Sequence, residues 1–280
     1  MRKIILIILI LLSSKSFSQS GFGKFDNDFK IRFDKPTIEL SYGISHIRLG
    51  YSDPGISDAG MFEIKLGFTQ EKTSKYSKQV LKYKNRFLFL SNASDNNLSK
   101  TQSLSDINNT LWRFGFGNKS GYGVLLGSVS ILPYSSGSAS WTEFNYNKNE
   151  LNTESNYAAL DDFAGTFRFG TITEAGVNIQ LFNGFSLEPK YEISDIYPRH
   201  LFFENMTSLL VEAVGLELLN QFSYAIMKNS PVAGSFVNFI LKNAYEYGFY
   251  QLRKDNMNWP FTSTAPLRYN TFKLGMSFIF

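Results

Sequence analysis

Tyr269-Asn-Thr-Phe-Lys-Leu-Gly-Met-Ser-Phe-Ile-Phe280 alternates with period two along its length. Phe272, Leu274, Met276, Phe278 and Phe280 fall on one side of an extended chain, and Thr271, Lys273, Gly275 and Ser277 on the other. Successive side chains of a β-strand point to opposite faces, so this segment reads as a strand with one greasy and one wet face. The pattern recurs upstream. Phe62, Ile64, Leu66 and Phe68 oppose Glu63, Lys65, Gly67 and Thr69; Trp112, Phe114 and Phe116 oppose Arg113, Gly115 and Gly117. Phe163, Gly165, Phe167 and Phe169 stand against Thr166 and Arg168 in the same way. Lys65, Arg113 and Arg168 are therefore expected to point into a hydrated interior.

Composition agrees with strands greasy on one side only. Aromatic residues make up 16% of the 280, with 27 Phe and 15 Tyr, yet the mean hydropathy is −0.15. A barrel in a membrane combines these features because its lipid-facing positions are apolar, its lumen-facing positions polar, and aromatic girdles mark both interfaces. There is no cysteine, which excludes a disulfide framework and any thiolate metal site. The net charge of +4 is unclustered and gives no nucleic-acid footprint.

At the N-terminus Arg2 and Lys3 precede the apolar run Ile4 to Leu12 and the small polar stretch Ser13 to Ser18. The run is about half of the ~20 residues that a spanning helix needs. Charge, length and flank are those of a secretory signal peptide, residues 1–18, with cleavage expected before Gln19. Residues 19–280 are expected to form a single domain.

With export at one end, the other end takes on meaning. Lys273, Gly275, Phe278 and Phe280 resemble the C-terminal β-signal by which the outer-membrane assembly machinery recognises its barrel substrates, a resemblance that covers only the final strand. It implies a bacterial outer-membrane β-barrel, with outer-membrane lipid and the barrel assembly machinery as partners. The fold expected is all-β with a helical insertion, an antiparallel transmembrane barrel of roughly 10–12 strands. Turns are expected at Asp53-Pro54-Gly55, at Asn118-Lys119-Ser120-Gly121 and at Asn183-Gly184, the last as a type I′ hairpin. Ser91 to Asn108 and Lys148 to Asp161 read as exposed loops, and Tyr134 to Ser140 as a loop tip of small residues.

One segment breaks the β pattern. Leu210, Val214, Leu218, Phe222 and Ile226 recur at four-residue spacing, a helical period, and Ser230-Pro231 offers an N-cap and first turn for a second helix running to about Lys242. A helical hairpin is thus expected at about residues 198–243. Glu212 and Glu217 oppose a lipid-spanning helix, because a carboxylate at mid-bilayer is costly without a partner. The lumen, the rim and the membrane surface are the expected places for it.

Chemistry is sparse. His46 follows Ser45 in a strand, where neighbours face opposite ways, so the pair cannot act as base and nucleophile, and a lumen or interface histidine is expected. Arg199, His200 and Glu204 form a polar cluster at the helix start, but two ligands beside an arginine do not make a metal site. No catalytic, cofactor-binding or metal-binding residues are assigned. The role expected first is a pore or transport-type barrel with a narrow or plugged lumen, passing a small solute. The alternatives are a non-enzymatic partner-binding subunit of an envelope complex, and a lipid-modifying enzyme, which lacks the His and Ser constellation of that class.

Overall fold

The computed structural model describes residues 35–49, 55–75, 77–98, 107–147, 154–198 and 202–280. The expected signal peptide, residues 1–18, lies outside them, as do Arg199 and His200. Eight antiparallel strands close on themselves in chain order. They are β1 (Lys35–Leu49), β2 (Ala59–Ser74), β3 (Ser77–Ser94), β4 (Asn109–Leu126), β5 (Val129–Tyr146), β6 (Arg168–Phe182), β7 (Phe185–Ile196) and β8 (Leu267–Ile279). Closure comes from β8 pairing with β1, Lys273 opposite Gly43 and Phe278 opposite Ile38. A closed sheet leaves no edge of unpaired amides, the condition for crossing hydrocarbon with strands.

Eight strands replace the expected 10–12, because segments read as turns are strand interior. Asn118 to Gly121 lies inside β4, paired with Tyr134 to Gly137 of β5, so two supposed loops pair with each other. Small residues suit turns, but they also suit a sheet whose neighbours are bulky. A Cβ on inward-facing Gly115 would sit 2.8 Å from the Phe89 ring. Strands of 12 to 18 residues then absorb the chain in fewer crossings. Phe163 to Phe167 precedes β6 and does not extend it; Phe163 is buried beneath the loop end.

Connections at one end are short: Gly127-Ser128 joins β4 to β5 and Asn183-Gly184 joins β6 to β7. The latter is not type I′, because Gly184 takes φ +85° but no described non-glycine residue has positive φ; a register shift between Gln180 and Phe182 accommodates the turn instead. The long connections gather at the other end. The segment read as a loop up to Asp161 contains a short helix, α1 (Glu154–Asp161), with Tyr157 and Leu160 buried.

Between β7 and β8 run α2 (Phe202–Asn229) and α3 (Pro231–Leu252), with Pro231 in the first turn of α3. The hairpin continues past the expected Lys242 to Leu252. Since β7 and β8 pair directly, with Ile196 opposite Leu267, the helices are an insertion and not part of the wall.

Candidate functional site

Register divides every strand into lumen and outer positions, and the lumen is full. At the loop end, strand residues such as Met61, Leu111, Phe144 and Tyr269 pack with Ile56, Ile107, Tyr157, Leu160 and Phe163 from the connections into one buried apolar cluster. Toward the short-turn end, Tyr83, Leu132 and Tyr134 form a second. An eight-stranded barrel is just wide enough for side chains to fill it.

Between these layers lies a buried ion-pair network. Its carboxylates are Glu39, Glu63, Glu174, Glu188 and Glu192; its cations are Lys65, Arg113, Lys119, Lys190 and Lys273. Five stand against five, so the layer is neutral. Arg113 bridges Glu192 at 2.8 Å and Glu63 at 3.1 Å, with its Nε donating to Ser91 Oγ at 3.0 Å. Lys65 reaches Glu174 at 2.8 Å, and Lys273 pairs with Glu63 at 2.9 Å and with Glu192. Lys119 joins Glu39 and Glu188, and Lys190 joins Glu39. The Tyr134 hydroxyl lies 3.1 Å from both Glu174 and Glu188, and Asn178 donates to Glu188 at 2.7 Å. Such charges survive burial only because each is paired and hydrogen-bonded.

Lys65 and Arg113 point inward as their alternation requires, but into this packed layer and not into a hydrated space. Sequence reading placed Glu63 on the inward face but missed Glu39, Glu174, Glu188 and Glu192, although these too stand at inward-phase positions of their strands. Counting acids against bases at those positions would have found the balance. Oxygens of Glu63, Glu174 and Glu192 lie within 4.8 Å of one another, close enough to hold a metal ion, but Lys65, Arg113, Lys190 and Lys273 already neutralise them.

The outside is the converse. On β8, β1, β2, β3 and β4 the outward residues form an exposed apolar belt, including Phe272, Leu274, Ile44, Leu66, Leu88 and the aromatics Trp112, Phe114 and Phe116. A closed antiparallel barrel with its large apolar side chains exposed outside and a layer of charges buried within inverts the burial of a soluble protein and suits a bilayer. The chain is a membrane-spanning β-barrel. No protein-family model and no curated protein matches its sequence. Solved structures similar to it include Neisserial surface protein A, at 8% identity and TM-score 0.43, covering 88% of this chain and 97% of that one. The attachment invasion locus protein Ail of Yersinia pestis is similar at 8% identity and TM-score 0.35, over 89% and 100% of the two chains. The outer membrane protein OprG from Pseudomonas aeruginosa is similar at 9% identity and TM-score 0.32, over 89% and 97%.

On this barrel the hairpin occupies none of the expected places. It lies along the outer wall. Val80, Tyr122, Val124 and Ser135 face outward by register, yet each is at most 8% exposed. Met227 packs on Val80 and Tyr122, and the rings of Tyr122 and Tyr224 meet edge to face with centroids 6.1 Å apart. At the loop end Tyr250 donates to Asn270 at 3.3 Å and stacks on Arg268, whose guanidinium carbon is 3.9 Å from the ring centroid. Arg268 is itself paired with Asp195 at 2.5 Å. The footprint thus runs from the β3 and β4 short-turn end to the β7 and β8 loop end. Arg253 joins the two helices, bridging Glu212 at 2.7 Å and donating to the Ser208 carbonyl at 3.0 Å. Above Thr173 and Ala175 the seam leaves a cavity of about 200 Å³, lined also by Tyr191, Ile193, Asn243, Glu246 and Tyr247.

The remaining candidate residues separate. Lys273 and Gly275 face the lumen while Phe278 and Phe280 face outward, Phe280 being 71% exposed. Glu204 accepts from Asn258 Nδ2 at 3.4 Å. His46 sits on the outer face of β1, not in the lumen, with Nδ1 2.7 Å from Asp58 Oδ1, while Ser45 faces inward and shares a hydrogen bond with Thr271 at 2.9 Å.

Proposed function

We propose that this protein is a non-conducting barrel that acts as a partner-binding subunit of the cell envelope. The observation that carries the reading is the filled lumen: two apolar layers and a neutral ion-pair layer leave no path for a small solute. The hairpin lies outside the lumen and takes no part in a conduit through it. In planar lipid bilayers the purified protein should show no conductance steps, and a form lacking residues 202–252 should show none either, since the hairpin does not close the lumen. Sustained single-channel currents from the intact protein would restore the pore reading.

Lys273, Gly275, Phe278 and Phe280 are proposed as the assembly signal. The outward, exposed Phe280 fits recognition better than packing. Phe280→Ser should lower the amount of heat-modifiable protein in outer-membrane fractions, and an unchanged amount would remove the assignment.

A further inference from the structure

The hairpin turns toward its surroundings a face that no part of the barrel covers. On α2, Met206, Leu210, Val214, Leu218 and Phe222 form a stripe at four-residue spacing, each side chain half or more exposed. On α3, Phe236 and Ile240 continue it. From Met206 to Ala225 and from Val232 to Leu252, no exposed position carries an Asp, Glu, Lys or Arg. None of the four charges in these spans stands at an exposed position: Glu212 is bridged to Arg253, Glu217 accepts from Asn220 Nδ2 at 3.4 Å and Gln221 Nε2 at 3.5 Å, and Lys242 and Glu246 stand one helical turn apart. A soluble two-helix insertion would show the reverse, a polar outer face over a greasy inner one.

The wall beneath is adapted to the same arrangement. Where the hairpin passes, the outward positions of β5 and β6 are small or weakly polar: Ser135 opposite Ala175, Gly137 opposite Thr173, Ala139 opposite Thr171. These pairs interrupt the large apolar side chains of the uncovered strands. The stripe on the helices supplies there the large apolar side chains that the wall lacks.

We infer that the α2 and α3 hairpin is embedded in the bilayer beside the barrel, its exposed stripe covered by lipid acyl chains. The 22 residues of α3 extend ~33 Å at the helical rise, enough to match an apolar band ~25 Å tall. Residues Met206 to Asn229 of α2 are long and apolar enough to cross a membrane, and hardly any of them are buried within the protein. Of the two carboxylates that oppose a lipid-spanning helix, Glu212 finds its partner Arg253 on the other helix, and Glu217 accepts from the Asn220 and Gln221 amides within electrostatic reach of Lys242.

The chain has no cysteine, so single sites can be labelled cleanly. Val214→Cys, Leu218→Cys and Phe236→Cys would each be spin-labelled in protein reconstituted into phosphatidylcholine vesicles, with Leu88→Cys on the uncovered wall as the reference. Heat-modifiable migration would confirm that each variant is folded, and three sites guard against the loss of one. Labels on the hairpin should collide with oxygen severalfold more often than with a water-soluble nickel chelate, as at Leu88. Ready collision with the chelate would place the hairpin in water and overturn the inference. A label immobilised and shielded from both reagents would overturn it too, by showing that a protein neighbour covers the stripe. The inference does not depend on the lumen being closed, so conducting channels would leave it standing.

Discussion

The lumen and the seam beneath the hairpin both take polar groups out of water, but they do it differently. In the lumen five carboxylates meet five cations, and Tyr134, Asn178 and Ser91 supply further hydrogen bonds. In the seam Arg253 and Glu212 bridge the two helices, Tyr250 reaches Asn270 and Arg268, and a cavity remains; buried oxygens without a hydrogen-bond partner occur in both regions, Ser140 Oγ, Thr142 Oγ1 and Asn178 Oδ1 in the lumen and Ser135 Oγ, Asn243 Oδ1 and Glu246 Oε2 in the seam. A closed sheet forces its inward side chains together whatever they are, so its charges must come as a matched set even where single hydroxyls go unpaired. A hairpin laid on a wall can stand off from what it does not match. The lumen is therefore the structural core of the barrel, and the seam an attachment to it.

The largest effect should follow from breaking the lumen. Arg113→Met removes one cation and leaves Glu63 and Glu192 short of a partner, and stranding a buried charge in this way costs about 3–5 kcal/mol. Urea titration of the barrel in vesicles should show a lowered midpoint, recovered in part when a second change, Glu192→Gln, removes one of the stranded charges. An unchanged midpoint would mean that the network is looser than its distances imply.

The corresponding break in the seam is Arg253→Met, which strands Glu212 at a partly exposed site. The loss should be smaller, on the order of 1–3 kcal/mol, and confined to the hairpin. Protease should then cut residues 202–252 faster while the barrel keeps its heat-modifiable migration. Loss of the barrel itself would show that the hairpin is part of the core.

The finest test applies one substitution on both sides of the wall. Ser91→Ala deprives the Arg113 guanidinium of an acceptor and should cost about 1.5–3 kcal/mol, the worth of a hydrogen bond to a charged group. Ser135→Ala removes a buried hydroxyl without a partner and should be neutral or slightly stabilising. Equal losses in urea titrations would erase the distinction between lumen and seam.

Legibility in the sequence followed the range of the interactions. The faces of β2, β4 and β8 were readable because alternation is local: Lys65, Arg113 and Lys273 must face opposite to Leu66, Trp112 and Leu274 in any strand. The helical period from Leu210 to Phe222 was equally readable, and so was the break at Ser230-Pro231. The number of strands was not, because Asn118 to Gly121 and Tyr134 to Gly137 look like turns until they are seen to pair with each other.

What the sequence determined by itself was thus a set of two-faced strands and a two-faced helical pair, since backbone geometry fixes which residues share a side. Tertiary structure decided the rest. Glu39 lies 80 residues from Lys119 and 151 from Lys190, so only barrel closure brings their charges together. The hairpin's place was decided by a stretch of wall drawn from β3 to β8, whose small and polar outward residues become one surface only after those strands pair. Glu212 reads as a barrier to lipid when taken alone and as half of a bridge once Arg253 folds beside it, because the cost of a buried charge depends on its neighbours in space and not on its neighbours in the chain.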